Sequence, residues 1–595
     1  MRTKSIAFAS LAIAAAVAGV LFFTGEGQPA STASVTELAK AADAASAQAG
    51  LSKTVLADTD LPPEGTRSLF DHIATQHGGV PYPFSKLVET VRKLNPDGAD
   101  PVIVMLPHGR SLLKGQSDDV RPRVLLAADF QAPNTPASLG VNTRGQLFLG
   151  FVENANEIEV LSYNEAAGRF EFQLVQDYSE TGARKLVYAR RQICLTCHQG
   201  GAPIFSQRPW NETNGSTGTT EAILRARTKA GLDPHSYMGL PTAVPLSAPE
   251  RFDELTDIGN FFAATQKLWL DGCGDPAALG RDAIDCRKTM LKLALQYKAK
   301  PGDFREEGPL VQHLQTLQEK SLGTHTIAVA ESDLVNRDPI AEQQGVKAWL
   351  RSFTSGRIKL GDGAKNNEDL EAFDKLPKLP LLQDPLTRRP AKRVLTASNI
   401  DGVYGLASLL TEGDIQTLMN AAQWQQSALD AAVDNLPEAF FAPKPFERAK
   451  TVQALLHSKA LPTVQKTGPI NLAYAFTDVS EMSPPIVSGV PPLALKAGSP
   501  LEPFEAYCFS CHRGNPAKRL NFMGADSEDK VLAQIREKTE IRDALDWERY
   551  EGTEKASVVM PPRDSAQYAS MQAALKKDPA LRDTMKAQVP GLFGF

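Results

Sequence analysis

Short apolar runs and alternating apolar and polar positions dominate residues 55–190, and both patterns are typical of β-strands packed on a core. Five such segments predict strands: residues 102–106, 123–127, 146–151, 158–163 and 169–175. Residues 164–168, Asn-Glu-Ala-Ala-Gly, separate the last two segments and predict a hairpin loop. We therefore expect a mainly antiparallel β-rich domain over residues 55–190.

Beyond residue 190 the apolar residues recur every three or four positions, which is typical of amphipathic helices. The pattern predicts helices over residues 257–270, 283–298, 502–507, 529–535 and 566–588. Residues 401–459 have helical spacing too, whereas residues 300–400 are polar and interrupted by proline, most clearly at 375–380, which predicts an extended linker. The predicted fold class is α+β and multidomain, with the β-rich domain followed by mainly helical domains.

The first residues have the pattern of an export signal. Arg2 and Lys4 precede an apolar run without charge, residues 6–23. The run of about 18 residues exceeds the ~7–15 of a usual signal core and reaches the length that spans a bilayer. Residues 1–30 are therefore a cleaved signal peptide or a retained membrane anchor, and the sequence leaves both open. Either way it predicts a periplasmic location, with anchoring to the inner membrane in the second case.

Length and charge narrow the function classes. The chain has 595 residues, which predicts several domains rather than one core. Its 64 Lys+Arg and 69 Asp+Glu nearly balance and are spread along the chain, so no electrostatic argument favours nucleic-acid binding. A charged fraction of 22% with ordinary Gly and Pro content excludes a disordered or collagenous protein.

Two Cys-x-x-Cys-His strings carry the chemistry of this sequence. The first ends in Cys197 and His198 after Cys194, and the second consists of residues 508–512, with Cys508, Cys511 and His512. Two thiols at this spacing can add to the two vinyl groups of one porphyrin, and the next histidine can bind its iron. A redox dithiol has no use for that histidine, and no second Cys pair lies nearby to complete a zinc site. The strings predict two covalently bound c-type haems, with His198 and His512 as iron ligands.

The second string resembles that of an ordinary small c-type cytochrome domain, which would cover residues 495–595. Phe504 and Tyr507 precede the string, and Met560 is followed by two prolines, 48 residues after His512. In that family a methionine followed by proline, downstream of the string, is the sixth iron ligand. The resemblance therefore implies that Met560 binds the second haem opposite His512. The alternatives are a core role for Met560 and ligation by Met523, only 11 residues after His512.

The sixth ligand of the first haem stays open. No Met-Pro follows His198 at a similar distance, and the best candidates are His235 and Met238, 37 and 40 residues beyond it. Met290 is a third candidate, and a vacant or water-bound position is the remaining alternative. The choice matters because peroxidase or oxygenase chemistry needs an open iron face.

Cys273 and Cys286 remain as an even pair in an exported chain, which predicts a disulfide. It would close a loop of about 14 residues and stabilise the fold by roughly 3 kcal/mol in the chain-entropy model. The alternative is two free thiols near a haem.

In its two attachment strings and its export signal, the chain resembles exported dihaem c-type cytochromes, and outside residues 495–595 it loosely resembles dihaem cytochrome c peroxidases. The 310 residues between Cys197 and Cys508 exceed the spacing usual there, so no catalytic residue is carried over. The predicted domains follow in order: 1–30 signal peptide or anchor, 31–54 Ala/Ser-rich tether, 55–190 β-rich domain, 191–300 first haem domain, 301–400 linker region, 401–494 helical region and 495–595 cytochrome c domain.

Three functions fit this organisation. The first is electron transfer to or from a redox partner protein. The second is a haem-dependent oxidoreductase of the peroxidase or oxygenase type, with an open first haem, a small-molecule oxidant and Trp210 as a candidate relay. The third treats the haems as structural or sensory, with the β-rich domain binding a partner.

Overall fold

The computed structural model describes most of the chain beyond residue 60. The described residues are 61–94, 100–107, 117–128, 145–189, 205–206, 213–245, 247–322, 327–330, 336–337, 392–395, 401–461, 479, 482, 485, 493–514, 520–550, 559–561, 566–589 and 591–592. The chain divides into two units, Met1–Gln48 and Ala49–Phe595, and the first lies outside the described residues, as do the export segment and the tether. No helix within the described residues is long and apolar enough to cross a membrane.

An antiparallel sheet of six strands forms the centre of the N-terminal half. Its strands follow one another in space as they do in sequence: Val102–Leu106 (β1), Arg123–Ala127 (β2), Leu147–Val152 (β3), Glu157–Asn164 (β4), Arg169–Gln176 (β5) and Lys185–Tyr188 (β6). The predicted antiparallel sheet is thus confirmed, including the hairpin in which Asn164 pairs with Arg169. The strand β6, which the prediction lacks, extends the sheet to the residues before the first Cys-x-x-Cys-His string.

The two faces of the sheet pack against different partners, because neighbouring strand residues point to opposite sides. Met105 belongs to a cluster with the helices Leu69–Gln76 (α1) and Phe84–Lys93 (α2), whereas its neighbour Val104 faces a larger cluster of later helices. The ring of Phe84 stacks on Phe151 with centroids 5.0 Å apart. Since both faces are covered, β3 is buried at every position and its sequence is almost continuously apolar.

Helices dominate the chain after the sheet. They are Thr217–Lys229 (α3), Ser247–Asp271 (α4), Pro276–Leu279 (α5), Arg281–Ala299 (α6), Pro309–Leu322 (α7), Asp401–Leu409 (α8), Glu412–Ala421 (α9), Gln426–Asp434 (α10) and Arg448–Leu456 (α11). Short strands form three small pairs: Phe205–Ser206 (β7) with Asn336–Arg337, Ser236–Tyr237 (β8) with Leu240–Pro241 (β9), and Ile327–Ala330 (β10) with Lys392–Leu395.

One core joins the sheet to helices on both sides of the predicted linker. Val311, Leu314 and Leu317 of α7 lie in the same cluster as Val104 of β1 and Leu406 of α8. The helix α7 is therefore packed, which differs from the extended segment predicted for residues 301–400. The reason is local, because the apolar residues of α7 recur at helical spacing while the prolines that suggested a linker come later in the chain.

A disulfide and a buried arginine fix the end of α4 against α6. Cys273 and Cys286 form the disulfide, with Cα atoms 5.5 Å apart. Arg287 is fully buried and donates to the carbonyl groups of Trp269 at 3.0 Å and Leu270 at 2.7 Å. Its other bonds go to the carbonyl oxygens of Gly274, Ala283 and Phe441. Burial lowers the pKa of Arg287 to about 10, so the side chain remains a cation at neutral pH and suits the negative end of α4.

Replacing Arg287 with methionine is expected to lower the free energy of unfolding by about 3–5 kcal/mol, because several buried carbonyl groups lose a charged donor. Urea unfolding followed by circular dichroism measures the change. Arg281→Met is the matched control on the same helix, since Arg281 is 90% exposed, and it should change stability by less than about 0.5 kcal/mol. Equal effects of the two substitutions would show that the carbonyl contacts of Arg287 contribute little.

A third cluster is built by residues 493–592 alone. Its helices are Glu502–Tyr507 (α12), Phe509–His512 (α13), Glu528–Glu537 (α14), Thr539–Leu545 (α15), Trp547–Tyr550 (α16), Ala566–Lys577 (α17) and Pro579–Gln588 (α18). The single helix predicted over 566–588 is divided, because Asp578 caps α18 and Pro579 lacks the N–H that a continuous helix needs. Both halves contact α12, as expected for a helix that closes this domain.

Candidate haem site in the C-terminal domain

One helical turn brings the second string together. Cys508 lies between α12 and α13, and its carbonyl oxygen accepts the N–H groups of Cys511 at 3.1 Å and His512 at 2.9 Å. The two cysteines are thiols with partly exposed side chains. A single turn therefore presents both sulfur atoms and the imidazole from adjacent positions, which is the arrangement that attachment of one porphyrin requires.

A hydrogen bond determines which nitrogen of the His512 ring carries the proton. Its Nδ1 lies 3.1 Å from the carbonyl oxygen of Leu520, which can only accept, so Nδ1 carries the proton. The lone pair of the neutral ring is then on Nε2, the nitrogen that binds iron when Nδ1 donates to a backbone carbonyl. Burial, and to a lesser extent the charge of Lys538, lower the pKa of His512 to about 4 against the opposing effect of the Leu520 carbonyl.

The surroundings of Cys508 differ from those of a reactive dithiol cysteine. Burial, with a smaller contribution from Cys511, raises the pKa of Cys508 to about 12, whereas reactive dithiols have a lowered thiol pKa. Among the residues that the structure describes, no group of three or more His, Cys, Asp or Glu side chains could hold a metal ion.

Arg513 connects residues 523–525 to the second string by hydrogen bonds. It is buried, and its Nη1 donates to the carbonyl oxygens of Met523 at 2.8 Å and Ala525 at 2.7 Å. The N–H of Met523 donates in turn to the carbonyl oxygen of His512 at 2.9 Å. These bonds hold the loop so that the Leu520 carbonyl faces His512. Arg513 is not predictable from the sequence, because a charged residue beside the string gives no sign that its side chain is buried.

Met560 differs from the other methionines of this domain. Met523, Met571 and Met585 are buried in the third cluster, whereas the Met560 side chain is partly exposed between the buried Val559 and Pro561. Its N–H donates to the carbonyl oxygen of Ala544 at 2.7 Å, and its own carbonyl accepts from Trp547 Nε1 at 2.9 Å. Met523, the competing ligand candidate, packs in the third cluster, and Met560 does not belong to it.

The first string, Cys194, Cys197 and His198, lies outside the described residues, and so does Trp210. Of its ligand candidates, His235 is exposed on a turn, and its backbone N–H donates to Asp233 Oδ1 at 2.9 Å. Met238 packs, partly buried, against the second cluster, and Met290 is fully buried in the first. The turn itself is held by Arg227, which donates to the carbonyl oxygens of Asp233 and Ser236.

The loop after the second string contacts the six-stranded sheet. The side chain of Leu520, whose carbonyl bonds to His512, packs against Leu174 of β5 and Val187 of β6. The strand β6 ends at Tyr188, six residues before Cys194. The loop that orients His512 therefore rests on the strand that leads into the first string.

The donor set of the C-terminal site fits a c-type haem. Cys508 and Cys511 would form the thioether bonds, His512 Nε2 would bind the iron, and the Met560 thioether is the candidate for the opposite face. The Leu520 carbonyl supplies the outer bond that orients such a histidine. In comparisons with known proteins, no family model, curated protein or solved structure matches the chain. The function proposed below therefore rests on Cys508, Cys511, His512 and Met560.

Proposed function

We propose that the chain is an exported dihaem c-type cytochrome that transfers electrons through covalently bound haem. The observation that carries this proposal is the His512–Leu520 hydrogen bond beside two thiols, since it leaves Nε2 available for iron. When bound, haem iron takes up and releases one electron between its ferric and ferrous states. The chain's own residues would attach the haem and orient its histidine ligand.

The C-terminal site favours electron transfer over substrate turnover. His512 and Met560 would both bind the iron of the second haem and leave no position for a substrate, and a thioether ligand would raise the reduction potential. We expect a redox partner protein in the periplasm, reached by export through residues 1–30, which act as signal peptide or as inner-membrane anchor.

A second candidate function is a peroxidase or oxygenase-type enzyme with an open first haem. It is favoured by the surroundings of the predicted sixth ligands, because Met238 and Met290 pack in apolar clusters and His235 is exposed. A small-molecule oxidant would then replace the partner protein. Electron paramagnetic resonance of the oxidised protein separates the two functions: a high-spin signal from one haem supports the enzyme, and two low-spin signals support the carrier.

A redox titration of the protein matured in its native host tests the proposal as a whole. We expect reversible one-electron reduction at both haems and, for the oxidised second haem, the sulfur-to-iron absorption band near the red edge of the visible spectrum. If neither haem could be reduced at a potential that periplasmic donors reach, electron transfer would be ruled out in favour of a structural or sensory role.

A further inference from the structure

Both backbone groups of Met560 are held by one short segment of the C-terminal domain. The Ala544 carbonyl in α15 accepts the Met560 N–H, and the indole N–H of Trp547, the first residue of α16, donates to the Met560 carbonyl at 2.9 Å. Only two residues separate Ala544 from Trp547 in sequence. Residues 544–547 therefore hold both main-chain polar groups of Met560, one in each of the peptide units that flank its Cα atom.

The residues around the Met560 backbone are buried, whereas the Met560 side chain is partly exposed. Trp547 is 5% exposed and packs on the Tyr568 ring, with centroids 4.3 Å apart. Val559 and Pro561, on either side of Met560, are buried. A core methionine needs no such arrangement, whereas a ligand gains from it, because a fixed backbone reduces the conformational entropy that ligation removes.

We propose that Trp547 is a positioning residue for the Met560 sulfur ligand, acting through its hydrogen bond to the Met560 carbonyl. This inference rests on the proposed function, because it requires Met560 to bind the second haem. The indole N–H would keep the thioether at the iron against competing ligands and against thermal release. Loss of that bond should leave haem attachment at Cys508 and Cys511 intact and weaken only the sulfur ligation.

Trp547→Phe tests this role in the full-length protein matured with haem, because phenylalanine keeps an aromatic ring beside Tyr568 and removes the N–H. Imidazole is titrated against the oxidised protein, and the loss of the sulfur-to-iron band is followed. We expect half loss at an imidazole concentration about 3–10-fold lower than in the unmodified protein, the effect of one net hydrogen bond.

Trp269→Phe is the matched control. Trp269 is also buried, donates its indole N–H to a backbone carbonyl, that of Lys444 at 3.0 Å, and packs against an aromatic ring, that of Phe446. It lies in the first cluster, so its substitution should lower thermal stability and leave the imidazole titration unchanged.

These measurements distinguish a failure of the Trp547 role from a failure of Met560 as the iron ligand. If the unmodified protein shows no sulfur-to-iron band, Met560 is not the ligand and the assignment itself fails. If the band is present and Trp547→Phe titrates like Trp269→Phe, Met560 remains the ligand and the positioning role of Trp547 is overturned. Haem content and the thermal midpoint, measured on the same samples, exclude a variant that has merely failed to fold.

Discussion

Replacing Cys508 and Cys511 together with serine is expected to halve the covalently bound haem, from two to one per chain in protein matured in its native host. A serine hydroxyl does not form the thioether bonds that attach a porphyrin, and it is close to a thiol in size. The effect should be confined to one haem, because the first string has its own two thiols and histidine, Cys194, Cys197 and His198. Absorbance of the denatured protein, after non-covalent haem is extracted, measures the ratio of haem to polypeptide.

The other cysteine pair provides the control for this prediction. Cys273 and Cys286 form a disulfide in the first cluster, so serine at both positions should keep two haems per chain. It should also lower the free energy of unfolding by roughly 3 kcal/mol. Haem loss equal to that of the Cys508/Cys511 variant would contradict the assignment of the second string, as would a Cys508/Cys511 variant that keeps two covalent haems.

Replacing Met560 with alanine is expected to abolish the sulfur-to-iron band and to lower the reduction potential of the second haem. Thioether ligation favours the ferrous state, so its loss should shift the potential down by at least about 0.1 V of the roughly 0.8 V that axial ligands span. Spectroscopy of the oxidised protein and a redox titration measure the two effects. Haem attachment should persist, because the thioether bonds are made by Cys508 and Cys511.

Met523→Leu is the control for Met560→Ala. Met523 is 1% exposed in the third cluster, and leucine approximately conserves its volume, so the band and the potential should stay unchanged. The reverse pattern, in which the band survives Met560→Ala and disappears in Met523→Leu, would assign the ligand to Met523.

Local signals in the sequence predicted most of the elements that surround the site. The alternating segments of residues 102–175 became β1 to β5, and the hairpin at 164–168 lies where Gly168 adopts a positive φ of 62°. The helix α12 has the predicted bounds Glu502–Tyr507. These elements are predictable because the spacing of apolar residues follows directly from which side of a strand or helix faces the core.

Long-range contacts account for what the sequence did not predict. The buried Arg287 and Arg513 are ordinary charged residues in the sequence, and only the fold brings carbonyl groups around them. The bond from Trp547 to Met560 joins residues 13 apart through tertiary structure. The same holds for the packing of Leu520 against β5 and β6, because a sequence pattern records which residues are apolar and not which of them meet.

The two Cys-x-x-Cys-His strings are predictable neither from apolar spacing nor from long-range contacts. Their residues follow from reaction chemistry at fixed spacing, which a sequence shows directly, while the orientation of the His512 ring depends on the Leu520 carbonyl and so on the fold. The string and the structure therefore provide independent arguments for the C-terminal site, one from covalent chemistry and one from the ring nitrogens.

Peptide mapping by mass spectrometry, on protein isolated from its native host, tests the central claim most directly. We predict that the proteolytic fragment containing residues 194–198 and the one containing residues 508–512 each carry the added mass of one tetrapyrrole. Both fragments at the unmodified mass of their amino acids would contradict the account.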